Sequence, residues 1–211
     1  GDVVDVERSA GWKVRARRDP VMRRLVKICP PFRPLPDKPQ TPWDNLVTAI
    51  IHQQLAVKAG RTIAGRVRGL TPGPRYPTPE DMLEFTDQEL RQVGLSGQKT
   101  GYVKDLAKRV NDGRLKLRRL RRLTDDEVIE QLTQVRGIGV WSAQMHLIFH
   151  LGRLDVLPVG DLGLQIACSK AYGLQEKYAT PAQMEGLAER WMPYRSIASW
   201  YLWRSLDQGG L

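Results

Sequence analysis

The 211-residue chain carries 33 Lys and Arg against 23 Asp and Glu, a formal net charge of +10, which favours a polyanionic partner and is compatible with nucleic acid, an anionic membrane surface or a merely soluble basic protein. No apolar run approaches the roughly 18 residues needed to span a bilayer, and no signal-peptide core stands at the N-terminus, so a soluble, intracellular protein is expected. Cys29 and Cys168 are the two cysteines, too few for a disulfide framework or a four-cysteine metal cluster, and both read as buried thiols.

In chain order, the pattern predicts a largely helical protein with almost no alternating strand-type runs. Gly1, where a methionine would start a chain, reads as a processed or tagged N-terminus. A first helix is predicted over Pro20 to Ile28, and the six prolines between Cys29 and Pro42 make an extended connector. Trp43 to Leu70 reads as one long helix or two short ones. Helices follow around Thr78 to Glu84, Thr86 to Val93, Ser96 to Asn111, Thr124 to Val135, Val140 to Phe149, Asp161 to Tyr172, and Pro181 to Leu206 with a break near Pro193. Several begin on Thr, Ser or Asp, the preferred N-caps. Arg114 to Arg122 holds five arginines and one lysine in nine residues, a solvated basic stretch or a source of general nucleic-acid affinity.

The densest information lies in Leu132-Thr133-Gln134-Val135-Arg136-Gly137-Ile138-Gly139-Val140-Trp141, two helices joined by a glycine hairpin. Gly137 and Gly139 are expected to supply backbone with positive φ, and Ile138 to plug the turn. The helix starting near Val140 presents unpartnered amides at the positive end of its dipole, so the turn can hold a phosphate oxygen without a basic side chain. That is a helix-hairpin-helix signature, which grips a DNA backbone without reading sequence. Asp161 follows Gly139 by 22 positions, in Pro158-Val159-Gly160-Asp161-Leu162-Gly163. By itself it reads as an N-cap, and a capping carboxylate stays ionised and rigidly aimed. Asp155 is a nearby competitor.

With Leu132 and Val135 before the turn and Ala143, Leu147 and Ile148 after it, the chain resembles the helix-hairpin-helix superfamily of DNA glycosylases, of the compact 3-methyladenine DNA glycosylase II type, from about Trp12 onward. The resemblance implies an all-α fold of two helical lobes with the substrate cleft between them and no N-terminal β domain. The expected lobes are 42–154, ending in the hairpin, and 1–41 plus 155–211, with Leu151 to Gly160 crossing between them. It places Asp161 at the family's catalytic aspartate, and a lysine expected of backbone-cleaving members is replaced by Trp141. A monofunctional enzyme follows, which frees 3-methyladenine and 7-methylguanine with water as nucleophile and leaves an abasic site. Lys170 and Lys177 do not sit at the lyase position.

The same resemblance puts a DNA wedge at His52-Gln53-Gln54-Leu55, with Gln54 at the tip and Leu55 as second choice; otherwise Leu55 is core and the glutamines an exposed face. Trp203 and Trp141 match aromatic positions of the base pocket, Met145 stands where a relative has an aromatic residue, and the remaining aromatic residues of the C-terminal helix, Trp191, Trp200 and Tyr201, read as core. Lys99, in the family-like segment Ser96-Gly97-Gln98-Lys99-Thr100-Gly101-Tyr102, is expected at the DNA backbone together with Gly137, Ile138 and Gly139, the alternative for that segment being a simple capped helix. Main-chain carbonyls of Thr133, Val135 and Ile138 are expected to hold Na+ or K+; no cofactor is required, and with two cysteines no iron–sulfur cluster is expected. The partner implied is duplex DNA containing alkylated bases, bound by a monomer at a bacterial nucleoid or in a eukaryotic nucleus, without a membrane. The alternatives are a catalytically silent DNA-binding module, a bifunctional lyase, a glycosylase for another lesion, and an RNA-binding basic scaffold.

Overall fold

The computed structural model describes residues 10–208, which are helices and irregular connections without a strand. None of these helices is long and apolar enough to cross a membrane. The chain divides into two compact units, residues 38–146 and the stretch through Asp37 joined by the stretch from Leu147 onward.

The 38–146 unit contains α3 (Pro42–His52), α4 (Val57–Arg68), α5 (Pro79–Glu84), α6 (Asp87–Gln92), α7 (Gly97–Asn111), a 3-10 helix (Leu117–Arg122), α8 (Asp125–Thr133) and the start of α9 (Val140–Phe149). Its starts are written in the local sequence. Thr41, Thr78, Thr86, Ser96 and Thr124 each accept the N–H three residues on, and Glu89 and Glu127 return the bond to complete capping boxes at Thr86 and Thr124. The α3, α5 and α6 helices pack on α7, burying Leu46, Val47, Ile50, Met82, Leu90, Val103 and Leu106. Fully burying each such side chain contributes about 1.5–3 kcal/mol before chain entropy is counted.

The other unit contains α1 (Ala10–Arg18), α2 (Pro20–Ile28), the rest of α9, α10 (Leu162–Tyr172), α11 (Pro181–Ala188), a 3-10 turn (Glu189–Trp191) and α12 (Arg195–Ser205). Central α12 packs on α2 and α10, with Trp12 stacked on Tyr201 at 6.0 Å and Phe32 edge-on to Trp200 at 5.7 Å. The same unit buries Asp19, 2% exposed, the N-cap of α2. Its carboxylate accepts from Val21 and Met22 N–H, from the Trp191 indole at 3.1 Å and from the Tyr172 hydroxyl at 2.5 Å, so a buried charge is fully partnered and structural. Burial, reinforced by Asp19, raises the Tyr172 phenol above its ordinary range.

Two elements depart from the sequence reading. Ala10–Arg18 is helical although its run of basic residues hides Trp12 and Ala16, the two buried positions. The Arg114–Arg122 stretch is not merely solvated: Leu117 and Leu120, three apart, are buried by a 3-10 helix while the basic residues face out. Both cysteines are buried thiols, and burial pushes the Cys168 thiol up to about 12.

Candidate functional site

The hairpin joins α8 to α9 and is held by parts of α3 and α7. Gly137 has φ +85°, and a Cβ there would stand 2.2 Å from the Tyr102 ring of α7, so backbone conformation and ring approach both require glycine. Gly139 departs from expectation. Its φ is not positive, and a Cβ there would meet nothing within 4 Å. A side chain at 139 is excluded by nothing inside the fold and would obstruct only what approaches the turn from outside. Ile138, 5% exposed, plugs the turn as its apolar character indicates. The Gly139 carbonyl accepts from Ala143, so α9 begins here and the preceding first-turn amides lack intrahelical acceptors.

Three ties fix the turn. Asp105 of α7 accepts the Arg136 N–H at 2.9 Å and the Arg109 guanidinium at 3.1 Å. Burial pushes this carboxyl up, but those two donors outweigh it and hold the group below the usual carboxylate range. Gln53, the C-cap of α3, donates its amide to the Gly137 carbonyl at 2.7 Å. Tyr102 supplies the floor. The Val135 carbonyl accepts the Ile138 N–H at 3.1 Å, closing the turn on itself.

Gln53 also links the hairpin to the expected wedge. Next to it Gln54 has φ +56°, the lone non-glycine residue with positive φ among those described, and is exposed with Leu55. The tight turn, closed by Leu55 N–H to His52 O at 3.2 Å, projects Gln54 at its tip. Strain of this kind in a fold is typically over-determined by its surroundings and clusters at functional loops. Leu55 is 37% exposed, which removes the reading of it as core. His52 packs against Gly60, where a Cβ would lie 2.3 Å from its ring, and its pKa is lowered by burial and by neighbouring Lys99, Arg61 and Arg68; it is a structural contact.

Lys99 has a partner inside the fold. Its ammonium is half-buried and donates to the Ile51 carbonyl at 2.7 Å, satisfying the C-terminal end of α3, and burial lowers its pKa. An amine committed to a helix terminus is a poor free phosphate ligand. On α9, Trp141 is 48% exposed while Met145, one turn on and on the same side of the helix, is half-buried.

Asp161 lies in the other unit, at the N-terminus of α10. Its φ of −77° and ψ of 117° are those of a cap, and its Oδ1 accepts the Leu164 N–H at 2.7 Å. The same oxygen accepts the Trp203 indole N–H from α12 at 2.8 Å. Gly163 packs close by: a Cβ there would come 3.3 Å from Oδ1, a tight approach, and 3.7 Å from the indole, an ordinary contact. Trp203 leans on Phe149 with ring centres 5.9 Å apart and remains half-buried, whereas Trp191, Trp200 and Tyr201 are buried core. Asp155 is spent elsewhere. It forms a two-pronged ion pair with Arg195, at 2.8 and 3.2 Å, and with Ser196 pins the irregular 151–160 segment to the start of α12. Sequence reasoning missed Asp105, Tyr102 and Gly163, whose roles depend on contacts that local patterns do not carry.

Residues 47–194 match the HhH-GPD superfamily of base excision DNA repair proteins. The chain belongs to that superfamily. Among its relatives, DNA-3-methyladenine glycosylase 1 of Schizosaccharomyces pombe is 33% identical over 185 residues, covering 87% of this chain and 81% of that protein. The solved structure of a Schizosaccharomyces pombe 3-methyladenine DNA glycosylase in complex with abasic DNA superposes with a TM-score of 0.83 at 30% identity, covering 94% and 97% of the two chains. A DNA-3-methyladenine glycosidase from Bacillus halodurans gives 0.84 at 35%, covering 96% and 93%.

Proposed function

We infer that this HhH-GPD protein is a monofunctional DNA glycosylase that hydrolyses the N-glycosidic bond of alkylated purines, 3-methyladenine and 7-methylguanine, in duplex DNA, acting as a monomer. The observation that carries the reading is Asp161: an ionisable carboxylate whose Oδ1 is clamped by a helix-terminal N–H and an indole N–H, on a scaffold whose relatives bear that activity in their names.

Departure of the base gives the sugar oxocarbenium character, and a fixed negative charge beside the anomeric carbon stabilises it. Asp161 takes that part, in the role of an oriented ion and not of a proton donor. The C1′–N bond breaks with its electron pair leaving on the base; water forms the new C1′–O bond and gives up its proton to solvent. An N3- or N7-alkylated purine is already cationic, so its departure neutralises it and needs no general acid. Trp141 leaves no amine for a Schiff base at the position where lyases carry lysine, so an intact abasic strand is the product.

Reaching the bond requires the base to leave the stack, and Gln54, seconded by Leu55, fills the gap. Trp203, beside Asp161, receives the base, an indole face favouring a cationic purine by about 0.5–2 kcal/mol. With the Ile138 N–H given to the Val135 carbonyl at 3.1 Å, the amides at Gly137 and Gly139 are the ones to hold a backbone phosphate. Carbonyls of Thr133, Val135 and Ile138 would hold Na+ or K+, which would supply positive charge to that phosphate. A nucleoid or nuclear location follows from the substrate.

The test is chromatography of bases freed from methylated duplex DNA, with strand breaks scored before and after alkali. The reading expects free 3-methyladenine and breaks only after alkali. Breaks before alkali, or a covalent adduct trapped by borohydride, would establish lyase chemistry; binding without base release would reduce the protein to a DNA-binding module.

A further inference from the structure

The 38–146 unit also carries a groove of about 840 Å³ that the reaction does not use. Pro42 and Trp43 at the start of α3, the 70–79 loop, the end of α7 and the 3-10 helix line it. Its volume falls in the range of ligand sites, about 300–1,000 Å³.

The groove lies at the end of the unit away from the hairpin. Lys99, near the start of α7, meets Ile51 at the end of α3, while Trp43 near the start of α3 and Val110 near the end of α7 line the groove together, so the two helices run in opposite senses. Gln53 and Tyr102 touch the hairpin from that end. Trp43 is ten residues up α3 from Gln53 and Val110 eight residues along α7 from Tyr102, separations of about 15 and 12 Å.

Its chemistry is mixed. Pro72, Pro74 and the other prolines give apolar walls, while Lys116, Arg118 and Arg119 are exposed at the edge and none of the three is ion-paired among the described residues. Asp81 is the lone carboxylate in the lining, and Arg75 is already paired with Asp44 at 3.3 Å. A single-stranded nucleic acid would want open aromatic faces on which to stack its bases. Here the rings are spent: Trp43 is 7% exposed and bonded to the Pro77 carbonyl, and Tyr76 is 4% exposed under the Arg68 guanidinium. A duplex would touch the basic edge and leave the proline walls unused.

We propose that this groove docks an extended acidic peptide segment of a partner protein, its apolar side chains against the proline walls and its carboxylates on Lys116, Arg118 and Arg119. A partner held there would leave the hairpin and wedge open to DNA, so the two would bind together.

The probe is a fluorescein-labelled peptide of alternating Glu and Asp with spaced phenylalanines, titrated by anisotropy at about 0.15 M salt. A second peptide of equal charge replaces phenylalanine with serine. Saturable binding is expected, weakened about tenfold or more by the Arg118→Glu, Arg119→Glu double variant and several-fold by the serine peptide, and not displaced by a short unmodified duplex. Absence of binding, equal binding of both peptides, indifference to the double variant at unchanged melting temperature, or displacement by the duplex would each overturn the proposal. The serine comparison uses wild-type protein, so the proposal stays falsifiable even if the double variant fails to fold.

Discussion

Trp203 donates to Asp161, and the proposed function adds a second duty as a wall for the extruded base; Trp203→Phe separates the two. Phenylalanine keeps an aromatic ring beside Phe149 but removes the indole N–H that reaches Oδ1 at 2.8 Å. A hydrogen bond to a charged group is worth about 1.5–3 kcal/mol. If that bond steadies the carboxylate where positive charge develops, its loss lowers the chemical rate about 10- to 150-fold. The Leu164 N–H remains on the same oxygen, so activity falls without vanishing. Single-turnover base release at saturating enzyme, with binding to abasic DNA measured alongside, is the assay. The reasoning is refuted if the single-turnover rate is unchanged and only the enzyme concentration needed for half-saturation rises, for then Trp203 would be a stacking wall alone.

Gly137→Ala should destabilise the protein by about 2–4 kcal/mol, adding a left-handed backbone penalty to the overlap with Tyr102, and thermal denaturation with an unchanged melting temperature would refute it. Gln54→Gly should do the opposite to stability, leaving it unchanged or up to about 1 kcal/mol higher by relieving positive φ, while base release falls for want of a wedge; equal activity would remove Gln54 from that role. Asp105 has a depressed folded pKa, so its contribution is complete above the unfolded value of about 3.9 and is lost as pH falls through the folded one. Asp105→Asn should therefore flatten stability against pH on the acid side below about pH 4, measured by urea unfolding, and a slope identical to wild type would contradict the tie to Arg136.

Most helices were legible because their boundaries are chemical. Thr86 with Glu89 and Thr124 with Glu127 announce capping boxes three residues wide, and Pro42, Pro79 and Pro181 stand in the first turns they are suited to. The hairpin and Asp161 were legible for the same reason, since a turn and a cap are local events. What the sequence hid was distant. Trp203 lies 42 residues from Asp161, Gln53 lies 84 from Gly137, and nothing near Asp105 announces that it will hold Arg136, 31 residues on. The bond from Lys99 to Ile51, 48 residues back, was equally out of sight of the local pattern. The glycines mislead once. Both hairpin glycines fit a positive-φ turn by residue type, yet the folded backbone needs that freedom only at Gly137.

That an oriented Asp161 carboxylate drives hydrolysis of the glycosidic bond is tested most directly by Asp161→Asn. Asparagine keeps the size and can still accept the Leu164 N–H, but not the charge. Single-turnover release of 3-methyladenine from methylated duplex DNA should fall by at least about a hundredfold while affinity for abasic DNA stays within a few-fold of wild type. A variant that releases base at the wild-type rate would contradict the account.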